Sequence, residues 1–144
     1  MFLNTRSSGA RLPSYEPGSQ GFFLLLHELG HALGLKHPHD DGGTGRPTFA
    51  SIGLKQFDQD FASVMSYKDE LGYDLVRYDP ATFMVFDVLA LQALYGKNNN
   101  TNTGDARYEL SELNLYATIW DAGGKASEKR WLTIGSKGSI ATVK

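Results

Sequence analysis

Residues 27–37 read HELGHALGLKH and hold three of the chain's four histidines beside one glutamate. Neutral imidazole is a metal ligand, and side chains four apart on a helix stand about 6 Å apart on one face. His27 and His31 so placed can both reach one zinc ion at roughly 2.0–2.1 Å. Glu28 follows His27, so its carboxylate projects beside that ion and not onto it, the place of a general base acting on an activated water. Gly34 is the expected helix stop, because glycine takes up left-handed backbone without strain. Beyond it the chain can double back and carry His37 to the same ion. Three neutral histidines leave a tetrahedral ion one open position, which is the plan of a catalytic site and not of a closed structural one.

Two helices must position these groups. Ser19 is the expected cap of the first. At about 100° per residue, Phe22, Leu25, Leu26, Leu29 and Leu33 gather on one side and are expected to face the core, with His27, Glu28 and His31 on the other. The second helix is expected to begin with Asp79 as cap and Pro80 at its first position, to run through TFMVFDVLALQALYG and to stop near Gly96. Its apolar residues cover most of its circumference, so it is expected to be largely buried. Asp87, the lone charge inside it, is expected to hydrogen-bond nearby backbone. Three segments divide the chain: a Ser/Gly/Pro/Arg-rich leader or loop over 1–21, the zinc-binding region over 22–97, and 98–144. The last opens on the turn-rich NNNTNTG and continues in short strands at Leu115 to Trp120, Trp131 to Ile134 and Ser139 to Val143. The fold class is therefore α+β.

Composition narrows the function classes. The chain has 144 residues, 41% apolar, with seven Tyr, eight Phe and two Trp, enough for a modest core. A net charge of −2 without any Lys/Arg run gives no nucleic-acid surface. The absence of cysteine excludes a disulfide scaffold and a thiolate zinc site, and leaves the compartment undecided. The longest apolar run, Phe22 to Leu26, is too short to cross a bilayer. No segment of signal-peptide type is expected in the first 21 residues.

The extended pattern His27-Glu28-x-x-His31-x-x-Gly34-x-x-His37 resembles that of the metzincins, zinc endopeptidases with a later methionine-containing turn. Pro38 after the third histidine resembles the serralysin branch. So do PGSQG before the helix, MSY at the turn, DVLALQALYG, NTGDARY and IWDAGG, in family order over roughly residues 15–124. The resemblance implies a metzincin-like lower subdomain followed by the start of a β-roll joint. It implies that His27, His31 and His37 bind zinc and that Glu28 activates water. Met65, in the turn Ser63-Val64-Met65-Ser66-Tyr67, would form an apolar floor beneath the metal. Tyr67 would be both a resting metal ligand and a hydrogen-bond donor to the oxyanion. The implied substrate is a protein or peptide, cleaved internally, and the implied location is extracellular.

The chain also departs from that family. His39 stands in HPHDDGG where glycine is usual, and is expected to be solvent-exposed and outside the ligand set. A calcium site at the joint would draw on Asn102 to Ala106 and Asp121 to Gly124. Lys125 and Ala126 replace an amide and a carboxylate there, and no GGxGxDxUx repeats follow, so that site is expected to be incomplete. Only 26 residues precede His27, too few for the sheet that holds a peptide in metzincins. A complementary upper-half segment or chain is therefore an expected partner. The alternative reading is a non-catalytic zinc-binding fragment or interaction module that lacks the substrate-binding half.

Overall fold

The computed structural model describes residues 14–43, 45–68, 79–104, 117–123, 130–134 and 140–143. The first helix, α1, spans Gln20–Ala32. Ser19 is its cap, as expected: the extended Ser19 backbone lets its hydroxyl accept the Phe22 N–H at 3.3 Å. Gly34, at φ +90°, ends it. Gly34 N–H donates to His31 C=O and Leu35 N–H to Gly30 C=O, a Schellman closure that turns the chain back toward the helix.

The face of α1 that points inward is not the expected one. Leu25 and Leu29 are 37% and 48% exposed, while Gly21, His27 and Gly30 are buried. Phe23 and Leu26 do pack against the core, which is built on Leu35, Val64, Met65 and Met84 with Phe61, Phe83, Ala90 and Leu91 around it. The reason is contact at two points that hydropathy does not register. A Cβ on Gly30 would overlap the Met65 sulfur, so the absence of a side chain lets Met65 pack there. His27 is drawn inward by a hydrogen bond described below.

The second helix, α2, spans Val85–Tyr95 and stops at Gly96 as expected. Its start is five residues later than Pro80, and neither Asp79 nor Pro80 opens it. Asp79 N–H donates instead to Gly18 C=O at 3.0 Å, and the Thr82 hydroxyl accepts Thr118 N–H at 2.8 Å. The cap is made from inside the helix, where Asp87 at the third position accepts the Met84 N–H at 2.8 Å. Nor is α2 largely buried. Val85 and Asp87 are, whereas Leu89, Leu94 and Tyr95 are exposed. The Tyr95 hydroxyl donates to Leu33 C=O and so ties the two helix ends together. Among the described residues between the helices lie two short 3-10 turns, Ala50–Ile52 and Lys55–Phe57. Phe49 and Phe57 set their rings against Phe86 on α2 at 4.9 and 5.5 Å.

Strands β1 (Ala117–Asp121), β2 (Arg130–Ile134) and β3 (Ile140–Val143) form an antiparallel sheet in the order β1-β2-β3, with Trp120 opposite Trp131 and Leu132 opposite Thr142. Within the described residues these match the expected strands, and the chain is α+β. The Asn-rich turn docks on β1: Trp120 Nε1 donates to Asn98 C=O, and Asn102, at φ +51°, donates its amide to Trp120 C=O. Residues 1–13 of the expected leader, and 115, 116 and 139 of the expected strands, lie outside the described residues. Among the described residues no helix is long and apolar enough to cross a membrane.

Candidate metal centre

The Schellman turn returns the chain so that His37 meets His27 and His31. The His37 Nε2 lies 3.1 Å from His31 Nε2 and 3.2 Å from His27 Nε2. Two nitrogens bound to one tetrahedral zinc at about 2.0–2.1 Å stand about 3.3 Å apart, so the spacing fits a shared ion. Each ring is also held at its other nitrogen. His27 Nδ1 lies 2.7 Å from Val64 C=O, His31 Nδ1 3.1 Å from Leu35 C=O, and His37 Nδ1 2.6 Å from the Asp40 carboxylate. Carbonyl and carboxylate oxygens accept, so each Nδ1 carries the proton and each Nε2 turns a lone pair to the centre. Three lone pairs facing one another call for a cation between them. His27 is buried, and burial holds its pKa below the ordinary imidazole value. Its neighbours His31 and His37 push the same way, against the Val64 carbonyl and Glu28. A neutral ring is the form that binds metal.

The turn after Ser63 supports this centre through backbone as well as through methionine. Val64 accepts from His27 with its C=O and donates its N–H to Asp87 Oδ2 at 2.7 Å. Ser63 Oγ donates to Asp87 Oδ1 at 2.6 Å and accepts Met65 N–H at 3.1 Å. Asp87 thus bonds local backbone as expected, and it also spans from α2 to the turn. Burial pushes its carboxyl up to about 6, even though three donors favour the charged form. Met65 is 1% exposed and belongs to the core beneath α1.

Of the other expected site residues, Glu28 is half-buried on α1, next to His27 and near enough for its charge to favour the protonated ring. Tyr67 is 67% exposed, with its ring 5.3 Å from that of His27 and 4.4 Å from that of His37. His39 is exposed, as expected, but is not idle. Its ring stacks parallel on His37 at 5.2 Å, 3.6 Å from Asp40 and 3.8 Å from Asp58 by its two nitrogens. Asp58 is buried. Burial works against its charge, yet Lys68 at 2.7 Å and Ser66 at 2.9 Å hold its carboxyl below the usual range. Asp40 is likewise held low, first by the hydrogen bond from His37.

Asp40 and Asp58 are residues that the motif does not reveal. Asp40, three residues after His37, has the spacing of a turn partner and could have been found on that ground; Asp58 has no local signal. At the joint, the Asp121 carboxylate accepts Gly123 N–H at 3.0 Å. Residues 105, 106 and 124–126, on which the calcium expectation rests, lie outside the described residues.

A helix that carries two of these rings and a reversal that carries the third bring His27, His31 and His37 together as a group that could hold one metal ion, on a sequence of the HExxH class. Known proteins narrow this further. Serralysin A of Dickeya chrysanthemi is 40% identical over 117 residues, which cover 70% of this chain and 24% of that protein. Serralysin C of the same organism is 38% identical over 116 residues, 69% of this chain and 24% of its own length. Metalloprotease AprA of Pseudomonas entomophila (strain L48) is 35% identical over 127 residues, with 74% and 26% coverage. Over the matched stretch the chain belongs with the serralysin metalloproteases. It spans about a quarter of the length of these relatives. No family model matches the chain.

Proposed function

We propose that the chain carries the zinc centre of a secreted, serralysin-like endopeptidase that hydrolyses internal peptide bonds. In this reading residues 22–97 are a metzincin-like zinc-binding subdomain, and 98–144 are a joint resembling the start of a serralysin C-terminal region. One observation carries it: three imidazoles converge by Nε2 at the spacing of a shared ion, each with its Nδ1 proton already committed.

His27, His31 and His37 would hold zinc, which supplies Lewis acidity to the scissile carbonyl and the attacking water. Glu28 would take the proton from the attacking water and pass it to the leaving amine. Tyr67, whose ring lies beside those of His27 and His37, would be a further ligand at rest and would donate its phenol to the oxyanion during the reaction. The peptide must lie extended along the centre, a task for a strand edge supplied by further chain or by a complementary segment.

The test is zinc analysis with a quenched-peptide assay, with and without a chelator, on the parent and on Glu28→Gln. The expected result is one zinc in both proteins and a loss of about 10²–10⁴-fold in hydrolysis for Glu28→Gln. Zinc without chelator-sensitive hydrolysis in the parent would favour the non-catalytic zinc-binding module. No zinc at all would remove the reading.

A further inference from the structure

Two of the three imidazoles are oriented by the fold's own backbone. His27 donates to the carbonyl of Val64 and His31 to that of Leu35, acceptors that no substitution removes. His37 differs. It lies beyond the helix stop, on the loop, and its Nδ1 meets a side chain, the Asp40 carboxylate, at 2.6 Å. A neutral imidazole with no other influence prefers its proton on Nε2. In His37 that would aim a proton at His27 and His31 instead of a lone pair.

We infer that Asp40 is the positioning residue of the third ligand: its carboxylate holds His37 in the Nδ1–H form with Nε2 turned to the centre, and so sets the affinity of the metal site. This rests on the zinc reading above. The backbone that carries this carboxylate is itself held. Asp40 N–H donates to His37 C=O, and Lys36 Nζ donates to both His37 C=O and Asp40 C=O, at 3.1 and 2.7 Å, which closes the loop around the pair. On the far side, His39 lies 3.6 Å from Asp40 Oδ1 and stacks on His37, so the ring is restrained on its face as well as at its edge. The Asp40 side chain is about half exposed and outside the apolar core, so its removal can be tested without collapsing the fold.

The experiment compares the parent, Asp40→Ala and Asp40→Asn by two measurements. Zinc affinity is taken by competition with a chromophoric chelator. Ring tautomers are read in the metal-free proteins at about pH 8 from two-bond ¹H–¹⁵N correlations, where imidazole is neutral. Loss of an outer hydrogen-bond partner costs a metal site about 10–100-fold in affinity, which is the loss expected for Asp40→Ala. His37 should shift to the Nε2–H form, while His27 and His31 keep theirs. The Asn side chain still offers an accepting oxygen, so Asp40→Asn should recover most of the affinity and the Nδ1–H form.

Asp40→Ala that binds zinc within about twofold of the parent, or that leaves the His37 tautomer unchanged, overturns the assignment, since a real outer partner is worth tenfold or more. Asp40→Asn as weak as Asp40→Ala overturns it too, because charge and not the hydrogen bond would then be in control. A parent that binds no zinc would defeat the proposed function instead, and the tautomers of the metal-free proteins would still decide the role of Asp40.

Discussion

Each helix buries one polar side chain, and the two do so in opposite ways. On α1 the buried group is a donor, His27, and the helix is capped from outside by Ser19. On α2 it is an acceptor, Asp87, which also caps its own helix at Met84. They meet at a single residue between the helices: Val64 takes the His27 proton on its carbonyl and gives its N–H to Asp87. Meanwhile Leu24, Leu25 and Leu29 of α1 and Leu89 and Leu94 of α2 are exposed. The inner faces are therefore chosen by paired polar groups and by a close approach at Gly30, with apolar side chains filling around them. Buried polar groups are tolerated when each finds its partner, and they place an element more narrowly than apolar contact does.

The comparison can be broken most severely at Asp87. Asp87→Ala leaves the Ser63 hydroxyl and the Val64 and Met84 N–H groups without their acceptor. At about 1–3 kcal/mol for each orphaned buried group, the expected loss is on the order of 3–5 kcal/mol, read by urea denaturation. A loss below about 1 kcal/mol would mean that water replaces the carboxylate and that α2 does not anchor the turn.

Asp87→Asn sharpens the point by removing charge while keeping shape. Its amide oxygen can accept both backbone N–H groups, and its NH₂ can donate to Ser63. Because the folded-state pKa of Asp87 is raised to about 6, the contribution of this group is fully present below the ordinary carboxylate pKa and is lost as pH rises through 6. The metal-free parent should therefore give up roughly 3 kcal/mol from this source between about pH 4 and pH 7. His27, lowered by burial, acts with the opposite sign. Subtracting the Asp87→Asn stability profile from that of the parent cancels this and other groups. A flat difference profile would show that Asp87 does not titrate in that range.

The smallest effects separate the two faces of α1. Gly30→Ala sets a methyl group against the Met65 sulfur and should cost about 1–3 kcal/mol. Leu29→Gln, on the exposed face, should change stability by less than about 0.5 kcal/mol, although it removes the more hydrophobic residue. Thermal unfolding of the two variants is enough, and a reversed order would restore the face that hydropathy predicts.

What the sequence makes legible follows from how local each signal is. The Ser19 cap, the Gly34 and Gly96 stops, the alternating strands and the spacing of the three histidines all act within a few residues, and each is found where expected. The start of α2 departs from the expected one although Asp79-Pro80 is a sound opening signal in isolation. Tertiary bonds from Gly18 and Thr118 engage that stretch, and Asp87 moves the opening to Met84. The inward face of α1 is not legible from hydropathy because glycine and histidine mark it, and neither scores as core. Asp58, between Ser66, Lys68 and His39, depends on residues brought together by the fold, and no spacing announces it.

Val64 has one more consequence. Its N–H belongs to the Ser63–Val64 peptide and its C=O to the Val64–Met65 peptide, two rigid planes joined at the Val64 Cα. Asp87 holds the first plane and His27 the second, while Ser63 Oγ holds the second again through Met65 N–H. With both planes pinned, the two torsions between them lose their freedom. Val64 is thus a mechanical spacer: it sets the span between a ring on α1 and a carboxylate on α2, so that a shift of either helix is carried to the other.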